Sequence, residues 1–147
     1  MTPDSELIST DWLPGPHDGA QSPVVVSFTD FRVETQDELR QVFEAGLELA
    51  KSWPIMSGAV GMWLWGKPSE MRGGSVSVWI SNEDLLRFVR WPVHRAIVNA
   101  WRTRIETNAM KWEDPSFDAE CAWRRAEELM RAPRIPSTAS AASESAI

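Results

Sequence analysis

Tyrosine is absent from this 147-residue chain, cysteine occurs once and histidine twice. Each shortage removes a class of chemistry. With no tyrosine there is no phenolic hydroxyl for proton transfer. A lone Cys121 forms no intramolecular disulfide and no multi-cysteine metal site. His17 and His94 stand far apart among scattered acids, without an HExxH or similar spacing, so no metal site is expected. Basic residues are the minority, 15 Lys and Arg against 21 Asp and Glu, and they are interleaved with acids, which argues against a nucleic-acid partner. No apolar run approaches the roughly 20 residues that span a bilayer, so no membrane partner is expected. The first twenty residues lack the basic start and apolar run of a signal peptide, and the expected setting is reducing and cytoplasmic. No G-x-S-x-G, Walker or G-x-G-x-x-G pattern occurs, so nucleotide cofactors are not indicated.

What the chain does have is flat apolar surface: nine Trp and five Phe. Its length suits one domain with one ordinary core. Residues 1–22 hold three prolines and two glycines without a period and read as an irregular lead-in. The run VVVSFTDFRV predicts a strand over 24–33. A helix follows from Thr35 or Gln36, with Leu39, Val42, Phe43, Gly46, Leu47 and Ala50 as its apolar stripe and Pro54 marking its end. Residues 59–66 alternate as a second strand, Val60, Met62 and Leu64 on one side, Gly61, Trp63 and Trp65 on the other. After the turn residues KPSEMRGG, Val76, Val78 and Ile80 alternate with Ser75, Ser77 and Trp79 as a third strand.

Ser81 or Asn82 caps the next helix, Glu83 and Asp84 fill its first turn, and Pro92 kinks it or opens a second piece. In that piece His94, Ile97, Val98, Trp101 and Ile105 share a face. A fourth strand is expected near 107–113, and a last helix after Ser116 or Asp118 carries Ala122, Trp123, Ala126, Leu129 and Met130. The tail from 134 to 147 lacks large apolar residues and a period, and disorder is expected there. The order βαββαβ predicts an α+β, ferredoxin-like antiparallel sheet with helices on one face, over 23–133, its open face shielded by a second subunit.

Trp79, Ser81, Leu85, Phe88 and His94 follow the spacing W-x-S-x3-L-x2-F-x5-H. This resembles the dimeric α+β barrel superfamily of antibiotic-biosynthesis monooxygenases, and within it the spheroidene-monooxygenase-like branch. Trp112 and the segment FDAECAWRRAEEL extend the likeness, which covers roughly residues 24 to 130. The resemblance implies a homodimer of face-to-face sheets, each subunit with its own pocket. It also implies a small tailoring enzyme of natural-product biosynthesis, cofactor-free, acting on a hydrophobic aromatic or polyketide-like molecule. Haem-degrading members of the superfamily set an Asn, a Trp and a His around the porphyrin. Aligned on Trp79, their Trp falls near Phe88 and their His near Val98, so that triad is absent.

His94 is the candidate general base and the candidate haem ligand; packing in the core against a backbone carbonyl is its alternative role. Trp63, Trp65 and Trp79 with Ser75 and Ser77 form a candidate slot for a flat ligand, or else fill a dimer interface. Ser27, Thr29 and Phe31 join that face if the strands align, and Phe88 and Trp101 complete the expected wall. Arg95, Arg102 and Arg104 read as a solvated face, and His17 as an exposed loop residue. A cyclase or isomerase, a haem protein and a non-catalytic binding protein remain open on the same residues.

Overall fold

The computed structural model describes residues 7–21 and 23–131. The expected disordered tail and the first six residues of the lead-in lie outside the described residues. Six strands form one antiparallel sheet: β1 (Ile8–Ser9), β2 (Leu13–Pro14), β3 (Val24–Arg32), β4 (Ala59–Lys67), β5 (Arg72–Trp79) and β6 (Glu106–Asp114). The four long strands lie in the order β4-β5-β3-β6, which is the ferredoxin-like arrangement. The lead-in is more ordered than its composition suggested. β1 and β2 pair with the outer edge of β4, where Thr10 N donates to Leu64 O and Leu64 N to Thr10 Oγ1, so the segment expected to be irregular covers that edge.

Local chemistry sets the helix boundaries. In α1 (Gln36–Ala50) the Thr35 hydroxyl accepts from Glu38 N at 3.0 Å, and Glu38 accepts in turn from Glu34 N. Its buried residues are Leu39, Val42, Gly46 and Leu49; Leu47, expected on the inner stripe, is exposed. Ser81 caps α2 (Asn82–Arg90) by accepting from Asp84 N. Trp91, extended at ψ 130°, breaks the helical ladder, and Pro92 opens α3 (Pro92–Trp101) at a position that needs no N–H. Asp118 accepts from Cys121 N at the start of α4 (Ala119–Arg131).

The helices of the βαββαβ unit cover one face of the sheet. There Val25, Met62, Leu64 and Trp79 pack with Leu49, Leu85 and Phe88, while Phe31 packs with Leu39, Val42 and Trp101. α4 crosses the other face. Its Ala122, Ala126 and Met130 meet Val24, Val26, Phe28, Val76 and Val78, and Trp12, Phe117 and Trp123 close the cluster. Gly61 permits this packing: a Cβ there would stand 2.0 Å from the Trp12 ring.

Candidate functional site

Cross-strand register decides which predicted residues meet. On the helix-covered face Ser77 lies opposite Ser27 and Met62, Ser75 opposite Thr29 and Leu64, and Trp79 opposite Val25. Trp63 lies opposite Val76 and Trp65 opposite Gly74. The five-residue slot of Trp63, Trp65, Ser75, Ser77 and Trp79 is therefore divided between the two faces, because residues directly opposite across a ladder point the same way. A bulge between Ala59 and Gly61 moves Val60 from the side of Met62 and Leu64 to that of Trp63.

The face carrying Trp63 and Trp65 is filled by side chains. Trp63 packs 4.6 Å from Trp12 and 5.2 Å from Trp123, and Trp65 stacks on Phe28 at 5.7 Å with the Arg72 guanidinium over its ring. At its end Arg72 donates to both carboxylate oxygens of Asp30, at 2.8 and 3.3 Å, and to Glu70 at 2.7 Å. Burial acts to lower the Arg72 pKa, but the bond and charge of Asp30 outweigh it and hold the guanidinium above its ordinary value. For Glu70 burial pushes upward, and the Arg72 bond followed by the Lys67 charge bring the carboxyl below its ordinary value.

The helix-covered face differs in kind. Ser27, Thr29, Ser75 and Ser77 form a buried polar strip, at most 1% exposed, which meets at Ser77 an aromatic group built from Trp53, Trp79, Phe88 and His94. Trp53 meets Trp79 and Phe88 edge-on, each at 5.2 Å; Phe88 lies 5.2 Å from Trp79 and 4.6 Å from His94. Trp79 Nε1 donates to Ser77 Oγ at 2.9 Å. Two buried polar atoms here, Ser27 Oγ and Trp53 Nε1, have no hydrogen-bond partner among the described residues. Leaving such a group unpaired costs about 1–3 kcal/mol. Trp101 belongs to the neighbouring cluster of Phe31 and Leu39, joined to this one through Ile97, with Arg104 4.1 Å over its ring. Arg95, Arg102 and Arg104 are exposed, as is His17.

His94 is wholly buried, and its Nδ1 lies 3.1 Å from Val89 O. A carbonyl can only accept, so in the neutral ring Nδ1 carries the proton and Nε2 the lone pair. The contact also satisfies a carbonyl near the end of α2, where the ladder is broken. The same geometry thus serves packing and presents a basic nitrogen in the interior. An open groove of about 800 Å³ runs between residues 52–57 and α2, lined by Ile55, Met56, Leu86, Phe88 and Trp91, with Arg87 and Arg90 at hand. Phe88 is both in its wall and in the aromatic group. No cluster of three or more His, Cys, Asp or Glu that could hold a metal occurs among the described residues, and no described helix is long and apolar enough to cross a membrane.

Sequence reasoning passed over Trp53, treating its segment as a helix end. It sits in a 3-10 turn, Trp53–Ile55, only 1% exposed, and an apolar aromatic directly before Pro54 was the available signal.

No family model matches this chain, and no curated protein matches it. Similar solved structures include SnoaB, a cofactor-independent oxygenase from Streptomyces nogalater, at 18% identity and TM-score 0.49 over 63% of this chain and 92% of that one. LmHde, a heme-degrading enzyme from Listeria monocytogenes, matches at 11% identity and TM-score 0.52 over 70% of this chain and 68% of its own. A candidate monooxygenase from Lactobacillus acidophilus matches at 12% identity and TM-score 0.53, over 77% of this chain and 55% of its own. At such identities the likeness is one of architecture alone: the chain shares an α+β, ferredoxin-like fold with the latter two structures.

Proposed function

We propose that this protein is a small oxygenase that binds a hydrophobic aromatic or polyketide-like molecule on the helix-covered face of its sheet and uses His94 as a general base. The observation that carries the reading is the buried His94, its Nδ1 committed to Val89 O and its Nε2 therefore the proton acceptor, in contact with an aromatic group that meets a polar strip. Nε2 takes a proton from an activated C–H of the substrate. The resulting carbanion passes an electron to dioxygen, the two radicals combine, and the peroxide collapses with loss of water. A CH₂ plus O₂ thereby becomes C=O plus H₂O, dioxygen being the oxidant and the imidazole the proton carrier. Burial excludes bulk water from the carbanion. The shared architecture with a heme-degrading enzyme and a candidate monooxygenase supports the scaffold.

The test is oxygen uptake with a phenolic or quinol substrate. His94→Asn keeps an amide donor near Val89 O but removes the base, and a loss of about 10²-fold or more in kcat with an unchanged melting temperature is expected. Full activity in that variant excludes His94 as the base.

Haem ligation is the second chemistry this nitrogen offers, because a ring whose Nδ1–H is held by a backbone carbonyl presents Nε2 in the tautomer that metals bind. A Soret band on haem titration, lost in His94→Asn, supports it. We also propose a homodimer, since the outer edge of β6 has no strand partner among the described residues. Light scattering of the purified chain measures the dimer.

A further inference from the structure

Trp53 and Ser27 are two donors on one face with nothing to donate to among the described residues. Both adjoin Trp79. The Trp53 ring meets it edge-on at 5.2 Å, and Ser27 lies directly across the ladder from Ser77, whose hydroxyl holds the Trp79 indole. Native proteins keep few buried polar groups unpaired, so two such donors on one face ask for a partner from outside the chain. Trp65 and Trp112 also bury indole N–H groups without acceptors, but on the opposite face, where each ring lies under an arginine and gains a cation–π contact. Trp53 has no such cation recorded over it. Its flanking residues Ser52, Ile55 and Met56 line the 800 Å³ groove.

We infer that Trp53 is a specificity-determining residue: its indole N–H, with the Ser27 hydroxyl, binds an oxygen acceptor of the ligand, which is a planar, uncharged molecule bearing a carbonyl. The indole nitrogen is a donor only. Both donors are neutral, which suits a carbonyl oxygen; a carboxylate or phosphate calls for a guanidinium fork, and the arginines of this region, Arg87 and Arg90, stand on the groove and are exposed. The surrounding Trp79 and Phe88 rings favour a flat hydrocarbon body. The inference rests on the proposed binding face, though not on the proposed reaction.

The experiment is binding without turnover, under nitrogen, with two probes of one shape: 1-tetralone, which carries a ring carbonyl, and tetralin, which lacks it. Calorimetry of the full chain is expected to give tetralone at least about tenfold tighter binding, the difference one neutral hydrogen bond makes. Trp53→Phe is expected to abolish that preference while leaving tetralin affinity unchanged. In a ¹⁵N-labelled sample one indole N–H resonance, identified by its absence in Trp53→Phe, is expected to move downfield with tetralone and stay still with tetralin. If the Phe substitution unfolds the chain, a selectively labelled wild-type sample carries the same readout, with the resonance assigned through its neighbours. Equal affinity for the two probes, no tetralone binding, or an unmoved Trp53 resonance overturns the inference. Loss of turnover in His94→Asn with the tetralone preference intact leaves it standing and concerns the base alone, whereas no tetralone preference in the parent chain, with turnover intact, removes Trp53 and spares the base.

Discussion

The two faces of one sheet are filled by opposite rules. Beneath α4 the strands present Val24, Val26, Phe28, Val76 and Val78 to large rings, Trp63 and Trp65 among them, and the charged groups at the end of this face, Asp30, Glu70, Lys67 and Arg72, are joined in ion pairs. Beneath α1, α2 and α3 the same strands present Ser27, Thr29, Ser75 and Ser77, and the donors of Ser27 and Trp53 stay without acceptors, whereas the unpaired indoles of the first face, Trp65 and Trp112, each lie under an arginine. Maximal stability would place apolar side chains at those serines, since their burial gains little and the unpaired hydroxyl costs. One face is arranged for cohesion, and the other gives up cohesion for polar groups at fixed positions. That asymmetry is what supports the proposed binding face beneath the helices.

The largest effects should come from the cohesive face. Phe28→Ala is expected to destabilise the chain by about 3–5 kcal/mol, since Phe28 stacks on Trp65 between buried strands. Urea denaturation measures it, and a loss under 1 kcal/mol would mean this face is not the packed one. Asp30→Ala removes the bidentate partner of a guanidinium that is only 6% exposed, at a cost of about 3 kcal/mol. Tetralone affinity per folded molecule should not move in either variant, because neither side chain touches the helix-covered face. A changed affinity would dissolve the distinction between the faces.

This distinction was only half legible in the sequence. Period-2 alternation shows that β4 and β5 have two unlike sides, and the sequence pattern placed β3, β4 and β6 within a residue of their observed bounds, whereas β5 begins at Arg72, three residues earlier than expected, inside the segment read as a turn. Alternation within a strand carries no information on which side of its neighbour it joins. Register supplies that, and it sets Trp63 against Val76 and Met62 against Ser77, parting Trp63 and Trp65 from the serines while Trp79 stays with them as expected. The bulge at Ala59 to Gly61 shifts Val60 for the same reason: an inserted residue inverts the period without altering composition. The W-x-S-x3-L-x2-F-x5-H segment was informative because its residues lie within one strand, one cap and two helices close in the chain, where spacing fixes geometry. Trp79, Phe88 and His94 do meet, whereas Trp53 reaches them from a different element and no local pattern announces it.

A smaller effect of opposite sign should mark the other face. Ser27→Ala deletes an unpaired hydroxyl and is expected to raise stability by up to about 1 kcal/mol while weakening tetralone binding. Chemical denaturation and calorimetry on the same sample check both halves. A variant that is less stable and binds tetralone as before would show the hydroxyl to be structural.

The smallest expected effect tests whether the charges of the cohesive face contribute through pH. Glu70 is folded with its carboxyl below the ordinary value of 4.5; burial alone would raise it, and the Arg72 bond and Lys67 charge prevail. Because the folded value is the lower one, the stability Glu70 adds is complete above about pH 4.5 and is lost as pH falls through the folded value. The side chain is about a third exposed, so solvent screens the pair and the contribution is modest. Glu70→Gln should therefore be less stable than the parent at pH 7, and the gap between the two should narrow as denaturation is repeated at pH 5, 4 and 3. A gap that stays constant with pH would mean the glutamine loses packing and not charge, and the ion pairs at the end of this face would then count as geometry alone.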